Sequence, residues 1–300
     1  SGRDKNGYQR ECDILAAFLL YVIRHIKPKS KRPAALPSSS LNVVRSIRRI
    51  AVKRAPPITM VPVSSVQPVM RAATRKYMRK YSWRTLLPKR REPWRRHHLK
   101  KMFACRTRIG LDLGGLRVSL SPLWFSMFAF LETSVQSGMR ASESVVQDKG
   151  EWHPADHISR ASLLWNIGGK RHEVPTATQM RALTEADYAI LLPPPSKTDS
   201  FGVIWGDKPI YLPVRFSAPW CAALRFRDLE LNVPCGTLEE RAQLPLYVDD
   251  DGSPLTYATA NKILSAMKDL VMVDGEDKSL FTFHSFRVTL ATQLGNAGAR

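Results

Sequence analysis

Cysteine is scarce in this chain: four residues in 300, Cys12, Cys105, Cys221 and Cys235, with no paired spacing among them. That scarcity indicates neither a disulfide framework nor a zinc knuckle, and it suits a reducing compartment. Long apolar runs are missing too. Stretches 14–23 and 118–131 are too short to span a bilayer, and no signal peptide opens the sequence at Ser1. The expectation is an intracellular protein with no membrane partner, nuclear if its host is eukaryotic. Acidic residues are few, 26 against 46 Lys+Arg, and their shortage is concentrated. Residues 1–110 hold 28 Lys+Arg and only 4 Asp+Glu, leaving 18 against 22 for the rest, so a net +24 precedes a net −4. A segment so poor in acid is the electrostatic footprint of phosphate binding. His25, His97, His98, His153, His157 and His172 show no convincing metal spacing, and no metal or cofactor is expected.

What is present fits a globular chain of two domains, with 44% hydrophobic and 24% charged residues. From Leu41 to Arg54, Val43, Val44, Ile47, Ile50 and Ala51 mark one helix face, while Arg45, Arg48, Arg49 and Lys53 fall largely away from it. Arg71, Arg75 and Arg79 recur every four residues, flanked by Lys76 and Lys80, and predict a second basic helix. Either face is a DNA contact or a solvated cationic surface. Tyr77, Tyr81 and Trp83 read as packing residues. Residues 11–85 therefore form a small helical bundle, with turns at the Pro/Ser-rich stretch 33–40 and at Pro56-Pro57.

The C-terminal region carries the chemistry. His284-Ser-Phe-Arg287 opens an amphipathic helix on which His284 and Arg287 share a face, aimed at one anionic group. Phe286, Leu290, Ala291 and Leu294 are expected to anchor that helix, and Gly295 and Gly298 to break it. Upstream, an apolar run from Leu120 to Val135 ends in Gln-Ser-Gly-Met-Arg140-Ala-Ser-Glu143, a helix, a glycine break and a second helix start. Arg140 could pair with Glu143 across one turn. Lys197, in Leu-Pro-Pro-Pro-Ser-Lys-Thr, could be an ordinary solvated loop lysine. Tyr188 to Leu192 and Ile210 to Val214 predict two strands of a small antiparallel sheet, with Val203 to Trp205 between them.

In order and rough spacing across residues 90–300, these segments resemble the tyrosine recombinase (phage integrase) family. Gly-Met-Arg140-Ala-Ser-Glu looks like its first arginine box and His284-Ser-Phe-Arg287 like its second, with Lys197 where the family carries a hairpin lysine. The resemblance implies a mainly α fold with a small antiparallel β-sheet (α+β): a basic helical core-binding domain over 1–87, a basic linker over 88–101, and a catalytic domain over 102–300. It implies double-stranded DNA as substrate, strand cleavage and rejoining through a 3′-phosphotyrosine, and a homo-oligomer on DNA. Arg140 and Arg287 would clamp the scissile phosphate, Lys197 would protonate the leaving oxygen, and His284 would assist proton transfer. The basic positions Arg45, Arg48, Arg49, Lys53, Arg75, Lys76, Arg79 and Lys80 would grip the duplex. The family's tyrosine nucleophile is missing: 13 residues follow Arg287 and none is Tyr, His or Trp. The domain is accordingly expected to be incomplete at its C-terminus. Two further readings stand beside the enzyme, an inert DNA-binding remnant of a mobile element and a basic RNA-associated protein.

Overall fold

The computed structural model describes residues 5–25, 37–53, 63–81, 91–193 and 208–298. The chain divides into two compact units, Ser1–Lys89 and Arg90–Arg300.

In the first unit, α1 (Lys5–His25), α2 (Pro37–Lys53) and α3 (Gln67–Tyr81) surround a thin core of Leu15, Leu19, Leu41, Val44, Val66 and Met70. Pro37 stands at the first position of α2, where its fixed φ suits a helix start and its missing N–H costs nothing. Helical periodicity sorts the rest. On α2, Leu41 and Val44 are buried while Arg45, Arg49 and Lys53 are exposed; on α3, Met70 and Tyr77 face inward while Arg71, Arg75, Lys76, Arg79 and Lys80 face outward.

The second unit is built around α5 (Pro122–Ser137), a helix apolar nearly all round and correspondingly buried from Leu123 to Val135 except at Phe125. α8 (Ala222–Asn232) and α11 (Phe283–Asn296) pack against it, and α4 (Arg96–Ala104) packs against α10 (Tyr257–Val271). Short helices α6 (Ala141–Ser144), α7 (Ala177–Arg181) and α9 (Leu238–Gln243) connect these layers. Four antiparallel strands, β1 (Leu163–Ile167), β2 (Lys170–His172), β3 (Tyr188–Leu191) and β4 (Ile210–Pro213), form one sheet in the order β2-β1-β3-β4. Leu163 lies opposite Leu191, and Leu191 opposite Ile210. The fold is thus mainly helical with a small antiparallel sheet. No helix among the described residues is long and apolar enough to cross a membrane.

Three expectations need correction. Sequence periodicity found β3 and β4 but not the β1–β2 hairpin, whose turn is Gly168-Gly169 with φ of 57° and 77° at its two positions. From Arg91 onward, the basic stretch read as linker 88–101 is built into the second unit. Trp94, His98 and Leu99 are buried in its core. On α11 the anchoring side chains are Phe283, Phe286 and Thr289, whereas Leu290 is half-buried and Ala291 and Leu294 are exposed. Gly295 lies within that helix, and the left-handed residue past its end is Gly298, at φ 81°.

Candidate functional site

The site begins where α5 stops. Gly138 caps that helix at φ 66°, a left-handed conformation glycine adopts without strain, and its N–H donates to the Ser134 carbonyl at 3.2 Å. The chain turns sharply there and presents Arg140 as the residue before α6. A Cβ placed on Gly138 would lie 3.0 Å from Leu290 Cδ2 and 3.8 Å from Arg287 Cγ, both on α11. The absence of a side chain at 138 therefore lets the turn carrying Arg140 lie directly against the stem of Arg287. Two segments far apart in sequence meet at this glycine.

Arg140 is half-buried and held by one carboxylate. Its Nη1 donates to Glu143 Oε1 at 2.6 Å, and its backbone N–H donates to Glu143 Oε2 at 2.8 Å. This pairing across one helical turn is the ordinary structural role open to that arginine, and the structure contains it. It also fixes the guanidinium's orientation, while the remaining N–H groups have no protein acceptor among the described residues.

α11 is positioned by its buried face. The Trp94 ring stacks on Phe286 at 5.4 Å, and the Trp94 N–H donates to Thr289 Oγ1 at 2.7 Å. At the helix start, the Thr282 N–H donates to Ser285 Oγ at 3.0 Å, and Ser285 Oγ donates in turn to the Leu280 carbonyl at 3.2 Å. His284 and Arg287, in the first turn and a half, are exposed on the opposite face. Backbone N–H groups at a helix N-terminus together with a guanidinium and an imidazole attract an anion.

Of the residues singled out from sequence, Arg287 lies beside Gly138, two residues before Arg140, with His284 one turn before Arg287. Lys197 lies outside the described residues, as do Val203 to Trp205. Among the duplex-gripping candidates, Arg45, Arg49, Lys53, Arg75, Lys76, Arg79 and Lys80 are exposed on α2 and α3, and Arg48 belongs to α2. Tyr247 is fully buried, where loss of solvation pushes its phenol well above the usual range; Tyr257 is half-buried and packs edge-on to Phe283 at 5.5 Å. Tyr247 therefore offers no accessible nucleophile.

Sequence reasoning missed two features. Glu132 sits on the buried helix α5 with no exposure, accepting the Cys221 N–H at 2.6 Å, with Arg106 and Arg225 at 3.5 and 3.6 Å. Burial pushes its carboxyl up to about 7, outweighing both arginines and the amide. A lone acid in an apolar helix is the signal that could have found it. The second feature is the grouping of His97, His98 and Glu276, whose potential ligand atoms lie within 4.8 Å of one another. There His98 Nε2 meets Glu276 Oε2 at 3.0 Å and Arg95 meets Oε1 at 3.2 Å. Burial lowers the His98 pKa despite Glu276, and the contact ties α4 to the segment between α10 and α11.

No protein-family model matches the sequence, and no curated protein matches it significantly.

Proposed function

We propose that this protein binds duplex DNA and that Arg140, Arg287 and His284 hold one backbone phosphate, in the manner of a tyrosine recombinase. The observation that carries the reading is the close approach at Gly138, which lays the Arg140 turn against Arg287. Two guanidinium groups beside a helix N-terminus stabilise the charge that builds on non-bridging oxygens during transesterification, without a metal. Glu143 orients Arg140 and leaves part of its fork available for an oxygen. Under this reading Lys197 supplies the leaving-group proton. The exposed cations of α2 and α3 would add sequence-independent affinity through counterion release.

The test is duplex binding by fluorescence anisotropy over a range of salt. Arg287 is exposed, so Arg287→Ala should leave the melting temperature unchanged while lowering the salt slope by about 0.9, the value for one lost phosphate contact. An unchanged slope would remove Arg287 from the DNA interface. Tighter binding to single-stranded or duplex RNA than to DNA would instead favour an RNA-associated role.

A further inference from the structure

A cavity of about 170 Å³ opens between the start of α5 and α8, apart from the Arg140–Arg287 site. Its apolar wall is aromatic: Trp124, Phe125 and Phe128, with Leu120 exposed at the rim. Its polar wall is Arg106 and Arg225 with Asp228. The volume is several times the roughly 30 Å³ that one water occupies in the liquid, so it accommodates a single-ring molecule.

The arginines are incompletely satisfied. Arg106 Nη1 donates to the Phe103 carbonyl at 3.1 Å and reaches Glu132 Oε1 and the Pro219 carbonyl at 3.5 Å, while its Nε and Nη2 have no acceptor among the described residues. Arg225 pairs with Asp228 at 2.5 Å, but its buried Nε makes no hydrogen bond there. Charge does not balance either. Arg106, Arg225 and the neighbouring Arg227, which shares Asp228 at 2.8 Å, face two carboxyls, Asp228 and Glu132. Glu132 holds its proton up to about pH 7, so near neutrality it cancels only part of the surplus. The two lining arginines therefore keep a partial positive surplus near neutrality. A flat two-oxygen group fits a guanidinium fork, and aromatic walls fit a flat ring.

We propose that this cavity binds a small aromatic carboxylate, its ring against Trp124, Phe125 and Phe128 and its carboxylate on Arg106 and Arg225. Such a cleft, mostly apolar with a few convergent polar groups, is the usual form of a small-molecule site. Ligand and Glu132 compete for the same two cations, so binding is strongest when Glu132 is neutral. The charged groups facing Glu132 are Arg106, Arg225 and Asp228.

The experiment is calorimetric titration of the full chain with benzoate, using benzamide as the uncharged isostere. Benzoate should bind saturably and at least tenfold more tightly than benzamide, and should weaken from pH 6 to pH 8. Arg106→Gln should cost benzoate tenfold or more and leave benzamide unchanged. If that variant melts early, Arg225→Lys keeps the positive charge beside Glu132, removes the fork, and should give the same selective loss. Equal affinity for the two probes, no saturable benzoate binding at millimolar concentration, or full affinity in either folded variant would overturn the assignment.

Discussion

Replacing Gly138 by alanine probes the turn that lies against Leu290 and Arg287. At φ 66° an L-residue carries a strain of about 1–2 kcal/mol. The added methyl would also sit 3.0 Å from Leu290 Cδ2, closer than carbon atoms tolerate. That contact is with the tip of a half-buried side chain, which can retreat by a few tenths of an ångström, so the backbone contribution should dominate. The expected loss is about 1–2 kcal/mol, which for a domain of this size lowers the melting temperature by roughly 2–8 °C. Calorimetry or circular dichroism would read it. Asparagine separates the two causes: it enters the left-handed region more easily but carries the same Cβ, so Gly138→Asn should melt between wild type and Gly138→Ala. Adding Leu290→Ala to each background measures the contact itself, and a coupling below about 0.5 kcal/mol assigns nearly the whole loss to the backbone. Because Arg287 Cγ is the next atom along, Gly138→Ala should also reduce the salt slope of duplex binding. A variant that melts within 1 °C of wild type would refute the left-handed turn and the close approach together.

Two further perturbations test buried charge. Only the folded state keeps the Glu132 proton between pH 4.5 and about 7, so stability should fall as pH rises through that interval, by about 3 kcal/mol at roughly 1.4 kcal/mol per tenfold; Glu132→Gln should flatten this dependence in urea titrations, and an unaltered profile would exclude Glu132 as its source. Glu230 accepts both Nη1 and Nη2 of Arg241, at 2.9 and 2.8 Å, and meets Arg160 at 3.3 Å, all three side chains being buried; Glu230→Gln leaves two guanidiniums without a countercharge and should cost about 3–5 kcal/mol by chemical denaturation, whereas a loss below about 1 kcal/mol would show the site to be hydrated or rearranged.

Helices α2, α3, α5 and α11 and strands β3 and β4 were legible because their periodicity is local. On α2 the apolar spacing sets Val44 inward and leaves Arg45 exposed, and β3 and β4 are apolar runs bounded by turn residues. The β1–β2 hairpin escaped because β2 is Lys170-Arg171-His172, three polar residues with no alternation, and Leu-Leu-Trp in β1 suits a buried helix as well as a strand. Only Gly168-Gly169 announced it. On α11 the spacing of Phe286, Leu290 and Leu294 suggested one continuous apolar seam, yet burial stops after Thr289, where contact with Trp94 ends. The basic character of residues 88–101 concealed the fact that Trp94, His98 and Leu99 are core. Arg140–Glu143 was legible as a pair, being three residues apart; the environment of Glu132 was not, since Arg106 and Arg225 reach it only through the fold.

That division explains how the candidate site is held. His284 and Arg287 contribute little to the packing of α11, which rests on Phe283, Phe286 and Thr289 and on the stack with Trp94. Their side chains are exposed, yet the helix bearing them is fastened from behind by apolar contact, so the polar pair is held in place without being consumed in structure. Arg140 is fastened differently, by one carboxylate that takes both its backbone and its side chain. It follows that removing Arg287 should change ligand affinity and leave stability intact. Removing Glu143 should free Arg140 and weaken phosphate binding through loss of orientation, although Glu143 carries the same sign of charge as the phosphate and its removal alone would strengthen attraction. The direction of that change in affinity therefore separates a positioned arginine from a merely cationic one.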